Sequence, residues 1–65
     1  MKITVSGTEK EYPDGTTVEQ MFRSENAGTQ FITVNDEFIK ASDRPIRKLS
    51  DGDVVEFLYY MGGGR

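Results

Sequence analysis

The residues with the clearest chemical potential stand near the end of the sequence, where Gly62, Gly63 and Gly64 precede Arg65. Glycine has no Cβ atom, so this stretch is a thin, freely jointed backbone that can enter a narrow slot in another protein. Arg65 ends the stretch with a bulky cation, and its amide stands where a bare glycine carboxylate could otherwise sit. The chemistry to consider is therefore that of a glycine carboxyl group and of the amide bond that covers it.

The composition excludes most other chemistry. The 65 residues include no cysteine and no histidine, which removes disulfides, thiol nucleophiles, imidazole bases and the strong zinc ligand sets. We therefore expect no metal and no bound cofactor. The net charge of -3 and the pI near 4.7 argue against nucleic acid as a partner and favour a basic protein surface.

Membrane insertion and export are not expected either. The longest nearly apolar run, 57–61, is far shorter than the roughly 20 residues that a spanning helix needs. The start of the sequence, 1–5, does not have the pattern of a signal peptide. These features predict a cytoplasmic protein, and we expect a monomer when it is free.

The first half of the sequence predicts a hairpin followed by a helix. Ile3 and Val5 alternate with polar residues, as in a half-buried strand, and 9–12 would be the returning strand after a turn at Gly7. A second turn at 13–15 leads to the helix. Its expected features are a capping box of Thr16 with Glu19, an apolar stripe of Val18, Met21 and Phe22, and an end at Asn26 and Gly28.

The second half predicts three more strands. The β-branched and aromatic run 31–34 should pair with 37–39 across a tight turn, and a strand that is apolar at nearly every position should begin at Val54. Between them, Ile46 and Leu49 are expected to pack onto the core. Strands at both ends of the chain and one helix between hairpins favour a mixed sheet with the last strand beside the first. The predicted class is α+β, a β-grasp fold with four to five strands packed on one helix, over residues 1–61, followed by a flexible glycine tail over 62–65.

Several segments together resemble a known family. They are 14–18 (DGTTV), 32–35 (ITVN), 49–56 (LSDGDVVE) and the terminal glycines. These segments resemble the ubiquitin-like sulfur carriers ThiS, of thiamine biosynthesis, and MoaD, of molybdopterin synthesis, and the ThiS branch fits better. The resemblance covers almost the whole chain and rests on the combination of segments, since each alone is weak.

The resemblance implies a protein co-substrate that is not itself an enzyme. Its terminal glycine, Gly64 here, would be adenylated with ATP by a ubiquitin-activating-type adenylyltransferase and then converted to a thiocarboxylate. Gly62 and Gly63 would keep side chains out of the channel of that enzyme. A sulfur-accepting synthase, either a thiazole synthase or an amino-acid sulfhydrylase of cysteine or homocysteine synthesis, would then take the sulfur.

Arg65 departs from the family pattern, in which the diglycine is terminal. Some relatives carry extra C-terminal residues that a JAMM-type zinc metalloprotease removes, and these tend to serve amino-acid or specialised sulfur pathways. The resemblance therefore implies cleavage between Gly64 and Arg65. The alternatives are that Arg65 is a trailing residue without function and that the glycine run is an ordinary frayed chain end.

The strand before the tail carries candidate docking residues. If Val55, Phe57 and Tyr59 point to one face, Leu58 and Tyr60 point to the other, and we expect Leu58, Tyr60 and Met61 to guide docking to a partner. The alternative is that they cover the edge of the sheet or the rim of the core. Asp51 and Asp53 are interpreted as turn residues and not as a cation site, and Arg44, Arg47 and Lys48 as a solvated basic loop.

Two other functions remain open from the sequence. The same activated glycine could be passed to a lysine amine, which would make the protein a ubiquitin-like modifier conjugated through Gly64. Alternatively, the domain could be a non-catalytic β-grasp interaction module without any chemistry at its tail.

Overall fold

The computed structural model of the protein describes residues 1–26, 28 and 31–59. Two predicted docking residues, Tyr60 and Met61, and the whole of the predicted tail 62–65 lie outside the described residues, as does the predicted domain boundary after residue 61.

Five strands and one α-helix form the described fold. Their bounds are β1 Lys2–Val5, β2 Thr8–Glu11, α1 Val18–Glu25, β3 Phe31–Val34, β4 Glu37–Ile39 and β5 Val54–Leu58, with a short 3₁₀ turn at Ala41–Asp43. The strands form a single sheet in the order β2-β1-β5-β3-β4. The α+β prediction and the β-grasp arrangement are thus confirmed.

The last strand lies in the middle of the sheet, as predicted. β5 is parallel to β1, with Thr4 opposite Val54 and Val5 opposite Val55. On its other side β5 is antiparallel to β3, from Val34 opposite Val55 to Phe31 opposite Leu58. β1 and β3 each pair with a hairpin partner, β2 and β4, which complete the two sides of the sheet.

The core lies between one face of the sheet and α1. Val18 and Met21, two members of the predicted helical stripe, are fully buried, while Phe22 packs at the margin of the core. The sheet residues that meet them are Ile3, Val5, Ile32, Val34, Ile39 and Val55, together with Leu49 from the loop before β5. An eight-residue helix is marginal alone, so this packing is what holds it.

The helix begins one residue later than predicted. Thr17, and not Thr16, is the N-cap: its Oγ1 accepts from the Gln20 amide at 3.2 Å, and the Gln20 side chain accepts from the Thr17 amide at 2.9 Å. Thr16 is buried, because its carbonyl accepts from the Leu49 amide and its hydroxyl donates to the Pro13 carbonyl. These contacts engage Thr16 in the loop, which leaves the next threonine to cap the helix.

Two predictions for the loop before β5 are wrong. Leu49 is buried, but Ile46 is 73% exposed, because hydrogen bonds from the Ile46 and Arg47 amides to the Asp43 carbonyl form a compact turn that carries Ile46 away from the core. Arg44 is not solvated: its side chain is only 12% exposed and lies against Glu19 and Phe22.

The capping box gives a stability prediction. Thr17→Ala removes the side-chain acceptor for the Gln20 amide, and we expect the free energy of unfolding to fall by about 1 kcal/mol. Thr17→Ser keeps the acceptor and should restore most of the loss. Urea unfolding followed by circular dichroism measures both variants, and equal stability of Thr17→Ala and the parent would contradict the assignment of the cap.

Candidate functional site

Strand β5 lies in the middle of the sheet and is the last strand before the glycines in the sequence. Val55 is fully buried and Phe57 half-buried on the face that packs on the helix, whereas Val54, Glu56 and Leu58 are exposed on the opposite face. The predicted division of this strand is therefore correct as far as Leu58. β3 still pairs with β5 at Leu58, so the chain is held by the sheet up to that residue.

An aromatic contact fixes the end of β5 to the helix. The rings of Phe57 and Phe22 lie with their centroids 6.4 Å apart, and the Arg44 guanidinium lies 4.7 Å from the centre of the Phe22 ring. The Arg44 Nε is also 3.3 Å from a carboxylate oxygen of Glu19. Arg44 thus joins the loop to the helix at the place where the helix supports β5.

Tyr59 is the last residue that the structure describes before the tail. Its ring lies beside Gly28, where an added Cβ atom would be 3.7 Å from Cε1 of Tyr59. Gly28 closely follows Asn26, the left-handed residue that ends α1. The last described residue therefore lies beside the C-terminal end of the helix.

A polar cluster holds the same end of the helix against β2. The Tyr12 hydroxyl donates to one oxygen of Glu25 at 2.5 Å, and the Lys10 ammonium lies 2.9 Å from the other oxygen. The Tyr12 and Ser24 hydroxyls are 2.6 Å apart. The helix end is therefore tied to the first hairpin by charge-assisted hydrogen bonds.

The pKa values of this cluster are displaced in the directions that its geometry dictates. Burial by itself raises the pKa of Glu25, but the hydrogen bonds from Tyr12 and Lys10 and the charge of Lys10 outweigh it, so the pKa lies below its usual value. The hydrogen bond to Glu25, with its charge, raises the pKa of Lys10. Burial, with the hydrogen bond to Glu25, raises the pKa of Tyr12.

An apolar surface lies on the face of the sheet opposite the helix and includes Leu58, the last residue of β5. It consists of Leu58, Phe31 and Phe38, which are 46%, 47% and 52% exposed and are called the outer patch below. Leu58 is opposite Phe31 in the β5–β3 pairing, and the rings of Phe31 and Phe38 have centroids 6.3 Å apart. Three large side chains on neighbouring strands thus form one continuous surface.

Comparison with known proteins assigns the chain to a family. The sequence model of the ThiS family matches residues 2–64, almost the entire chain. The chain belongs to the ThiS family. A search of curated protein sequences gave no significant match.

Two solved structures of a ThiS-family protein support the assignment. The crystal structure of a thiamine biosynthesis protein (ThiS) from Geobacter metallireducens is 28% identical in sequence and has a TM-score of 0.84, with 98% of this chain and 100% of that chain covered. An NMR structure of a thiamine biosynthesis protein from the same organism has 28% identity and a TM-score of 0.74, covering 100% of this chain and 90% of that chain. Family membership supports a sulfur-carrier role in general, together with partner enzymes of sulfur transfer.

The acidic turn before β5 has a structural role in this ThiS-family chain. Asp51 accepts a hydrogen bond from the Lys2 amide at 2.7 Å. Asp53 is buried and accepts from the Ser50 amide at 2.8 Å and the Asn35 side chain at 3.0 Å. Both carboxylates therefore act as turn and capping groups, in agreement with the interpretation from the sequence. Within the described ranges, no cluster of three or more acidic side chains is placed to bind a metal ion.

The structure brings together only part of the predicted site. Leu58 lies on the outer patch as expected, whereas Gly62, Gly63, Gly64 and Arg65 lie outside the described residues, and their roles stay predictions. Phe31 and Phe38 were missed as surface residues. Their neighbours Ile32 and Ile39 point to the opposite face of the sheet, so the sequence does show that Phe31 and Phe38 are on the other face. It does not show which of the two faces the helix covers. The helices of the described part of the chain are all too short or too polar to cross a bilayer.

The cluster at Glu25 predicts a pH dependence of stability. Because its pKa is lower in the folded protein, Glu25 stabilises the fold above its unfolded pKa of about 4.3, and this contribution disappears as the pH falls through the folded value. Glu25→Gln should therefore be less stable than the parent at pH 7 and should lose less of its stability between about pH 5 and pH 3.

Urea unfolding across this pH range measures the effect. Glu9→Gln is the matched control, because Glu9 is exposed on the other face of β2 and forms no ion pair with any residue that the structure describes. If the free energy of unfolding falls by the same amount over this pH range in Glu25→Gln and in the parent, the assignment is contradicted.

Proposed function

We propose that the protein is a sulfur carrier whose Gly64 carboxyl group is adenylated and then converted to a thiocarboxylate. The observation that carries the proposal is the position of β5, the central strand of the sheet and the last strand before the glycines in the sequence, in a chain whose family match ends at Gly64. With no cysteine in the sequence, a carboxyl group at Gly64 is the place where the chain can hold transferable sulfur.

The proposed chemistry follows from the reactivity of a carboxylate. A terminal carboxyl group has a pKa of about 3.5, so it is ionised near neutral pH. The negative charge makes the carboxylate a poor electrophile. Attack of this carboxylate on the α-phosphate of ATP forms an acyl-adenylate and releases pyrophosphate. A sulfur nucleophile then displaces AMP and leaves a thiocarboxylate on Gly64. ATP binds to the adenylyltransferase, and the carrier supplies a substrate group and no catalytic residue.

Arg65 must be removed before this chemistry. In the encoded chain the Gly64 carbonyl is part of a peptide bond, so it has no oxygen that can attack ATP. Hydrolysis of the bond between Gly64 and Arg65, by a JAMM-type metalloprotease in our proposal, frees the carboxylate. The protein would thus be stored in an inert form and activated by one cleavage.

The comparisons bear on the choice between two sulfur acceptors. Both solved structures similar to this chain are named thiamine biosynthesis proteins, which favours a thiazole synthase as the acceptor. The residue after Gly64 favours a second candidate, an amino-acid sulfhydrylase of cysteine or homocysteine synthesis. Purified charged carrier, offered in turn to each enzyme from the same genome, separates the two by which enzyme consumes the thiocarboxylate.

The outer patch is the proposed docking surface for the partner enzymes. Leu58 and Phe31 lie where β5 approaches the tail, so a partner that binds them also receives the tail. Exposed aromatic and aliphatic anchors of this kind are typical of the centre of protein interfaces. Tyr60 and Met61 would extend the surface along the chain.

The proposed activation by cleavage can be tested with two forms of the chain. A chain that ends at Gly64, incubated with the adenylyltransferase, ATP and a sulfur donor, should gain the mass that corresponds to exchange of one oxygen for one sulfur. The chain that retains Arg65 should stay unchanged until the protease is added. Intact-mass spectrometry measures both, and the reaction without ATP is the control.

Failure of the Gly64-ended chain to gain sulfur under these conditions would contradict the proposal. A ladder of larger conjugates in place of the single product would indicate the alternative function of a protein modifier.

The docking role of the outer patch can be tested by substitution. Leu58→Gln replaces an apolar anchor with a polar side chain of similar size, so KM for adenylation should rise about tenfold while the unfolding free energy changes little. Val54→Gln is the matched control, since Val54 is exposed on the same face of the same strand but lies at its other end. Equal KM values for the two variants would contradict the docking role of the outer patch.

A further inference from the structure

At Phe57, the backbone of β5 is paired on one side only within the described chain. The ladder between β1 and β5 ends with the hydrogen bond from the Ser6 amide to the Val55 carbonyl, at 3.0 Å. Ser6 and Gly7 have positive φ values of 51° and 82° and turn the chain back into β2. At Glu56 and Phe57, β5 therefore pairs with β3 and with no other described strand.

The backbone groups of Phe57 point to this open side. The Val55 carbonyl accepts from Ser6 on the side of β1, whereas the Val54 carbonyl accepts from Asn35 on the side of β3. Because these directions alternate along a strand, the N–H and C=O of Phe57 point the same way as those of Val55. Past the turn they meet no backbone partner in the described part of the chain.

The open groups belong to a firmly held residue. Phe57 lies opposite Ile32 in the pairing with β3, and its ring packs against Phe22 on the helix. Its N–H and C=O are therefore fixed in direction and do not have to be ordered when a partner binds. A preorganised donor and acceptor at a sheet edge are the elements that strand addition uses.

We propose that an extended segment of the adenylating partner adds to β5 on this open side and pairs with the backbone of Phe57. The inference rests on the proposed function and deepens it. Recognition of the tail would begin inside the folded domain, with Phe57, and would continue along the same edge of the chain into the glycines.

The chemistry of the tail supports this occupant. Gly62, Gly63 and Gly64 offer a partner no side chain to recognise, so backbone hydrogen bonds are the main directional contacts that they can make. A strand that is already paired at Phe57 fixes the register of everything that follows it. The ladder would thus place Gly64 at a set distance from the domain without any side-chain contact to the tail.

The flanks of the open edge indicate the composition of the partner segment. On the outer face, exposed Leu58 and Glu56 lie on either side of Phe57, so an apolar side chain and a carboxylate border the edge. The complementary segment has an apolar residue two positions away from a lysine or arginine, because side chains on the same face of a strand are two residues apart. The net charge of -3 of the carrier favours the same basic partner.

Removal of the Phe57 N–H tests the proposal. A synthetic chain ending at Gly64 with N-methyl-Phe57 loses the donor and blocks strand addition, so kcat/KM for adenylation by the host adenylyltransferase should fall about tenfold or more. The matched control is N-methyl-Glu9. The N–H of Glu9 lies on the far edge of the sheet, because the neighbouring residues of β2 bond to β1. This control should retain the parent kcat/KM.

A second variant keeps the test valid if the N-methyl-Phe57 chain does not fold. An ester in place of the Glu56–Phe57 amide replaces the donor N–H with an oxygen without adding a methyl group, and it should lower kcat/KM by about threefold to tenfold, the value of one hydrogen bond. Hydrogen exchange of the unmodified protein gives an independent measurement: the Phe57 amide should exchange freely in the free carrier and become protected when the adenylyltransferase is bound.

Unchanged kcat/KM in the folded ester variant, or a Phe57 amide that exchanges equally fast in the complex, would overturn the inference and leave the proposed function intact. If the unmodified Gly64-ended chain is not adenylated, the proposed function itself fails. The two failures are therefore distinguishable in one set of experiments.

Discussion

The position of β5 between β1 and β3 is the constraint on which the rest of the structure depends. A strand with neighbours on both sides cannot slip by one residue without exposing Val55 and burying Glu56, so its register is fixed by the core. That register sends Phe57 toward the helix and Leu58 into the outer patch.

The helix and the loops hold this strand in place. α1 is too short to be stable alone, and it is held by its apolar stripe, by the capping box at Thr17 and by the cluster around Glu25. In return it supplies Phe22 as the surface against which Phe57 packs. The buried Asp53 ties the turn before β5 to the β3–β4 hairpin through Asn35. A rigid base is what a thin glycine thread requires, since the thread itself has no side chains to define its direction.

The parts of the fold that depend on local pattern were predictable from the sequence. Period-two alternation gave the strands, the stripe of Val18 and Met21 gave the helix, and the apolar character of β5 gave its central position. The errors arose where a distant contact decides between near-equal local choices. Leu49 holds Thr16 and shifts the cap to Thr17, and Glu19 and Phe22 draw Arg44 out of solvent, neither of which is visible in the local sequence. The outer patch needs the register of β3 with β5, which joins residues far apart in the chain.

The central claim is that the chain acts through the carboxyl group of Gly64 once the bond to Arg65 is cleaved. Intact-mass spectrometry of the protein isolated from its native host, grown under demand for the sulfur-containing product, tests it most directly. The account predicts a population that ends at Gly64 and contains one sulfur atom in place of an oxygen. A protein that retains Arg65 throughout, with no species ending at Gly64, would contradict it.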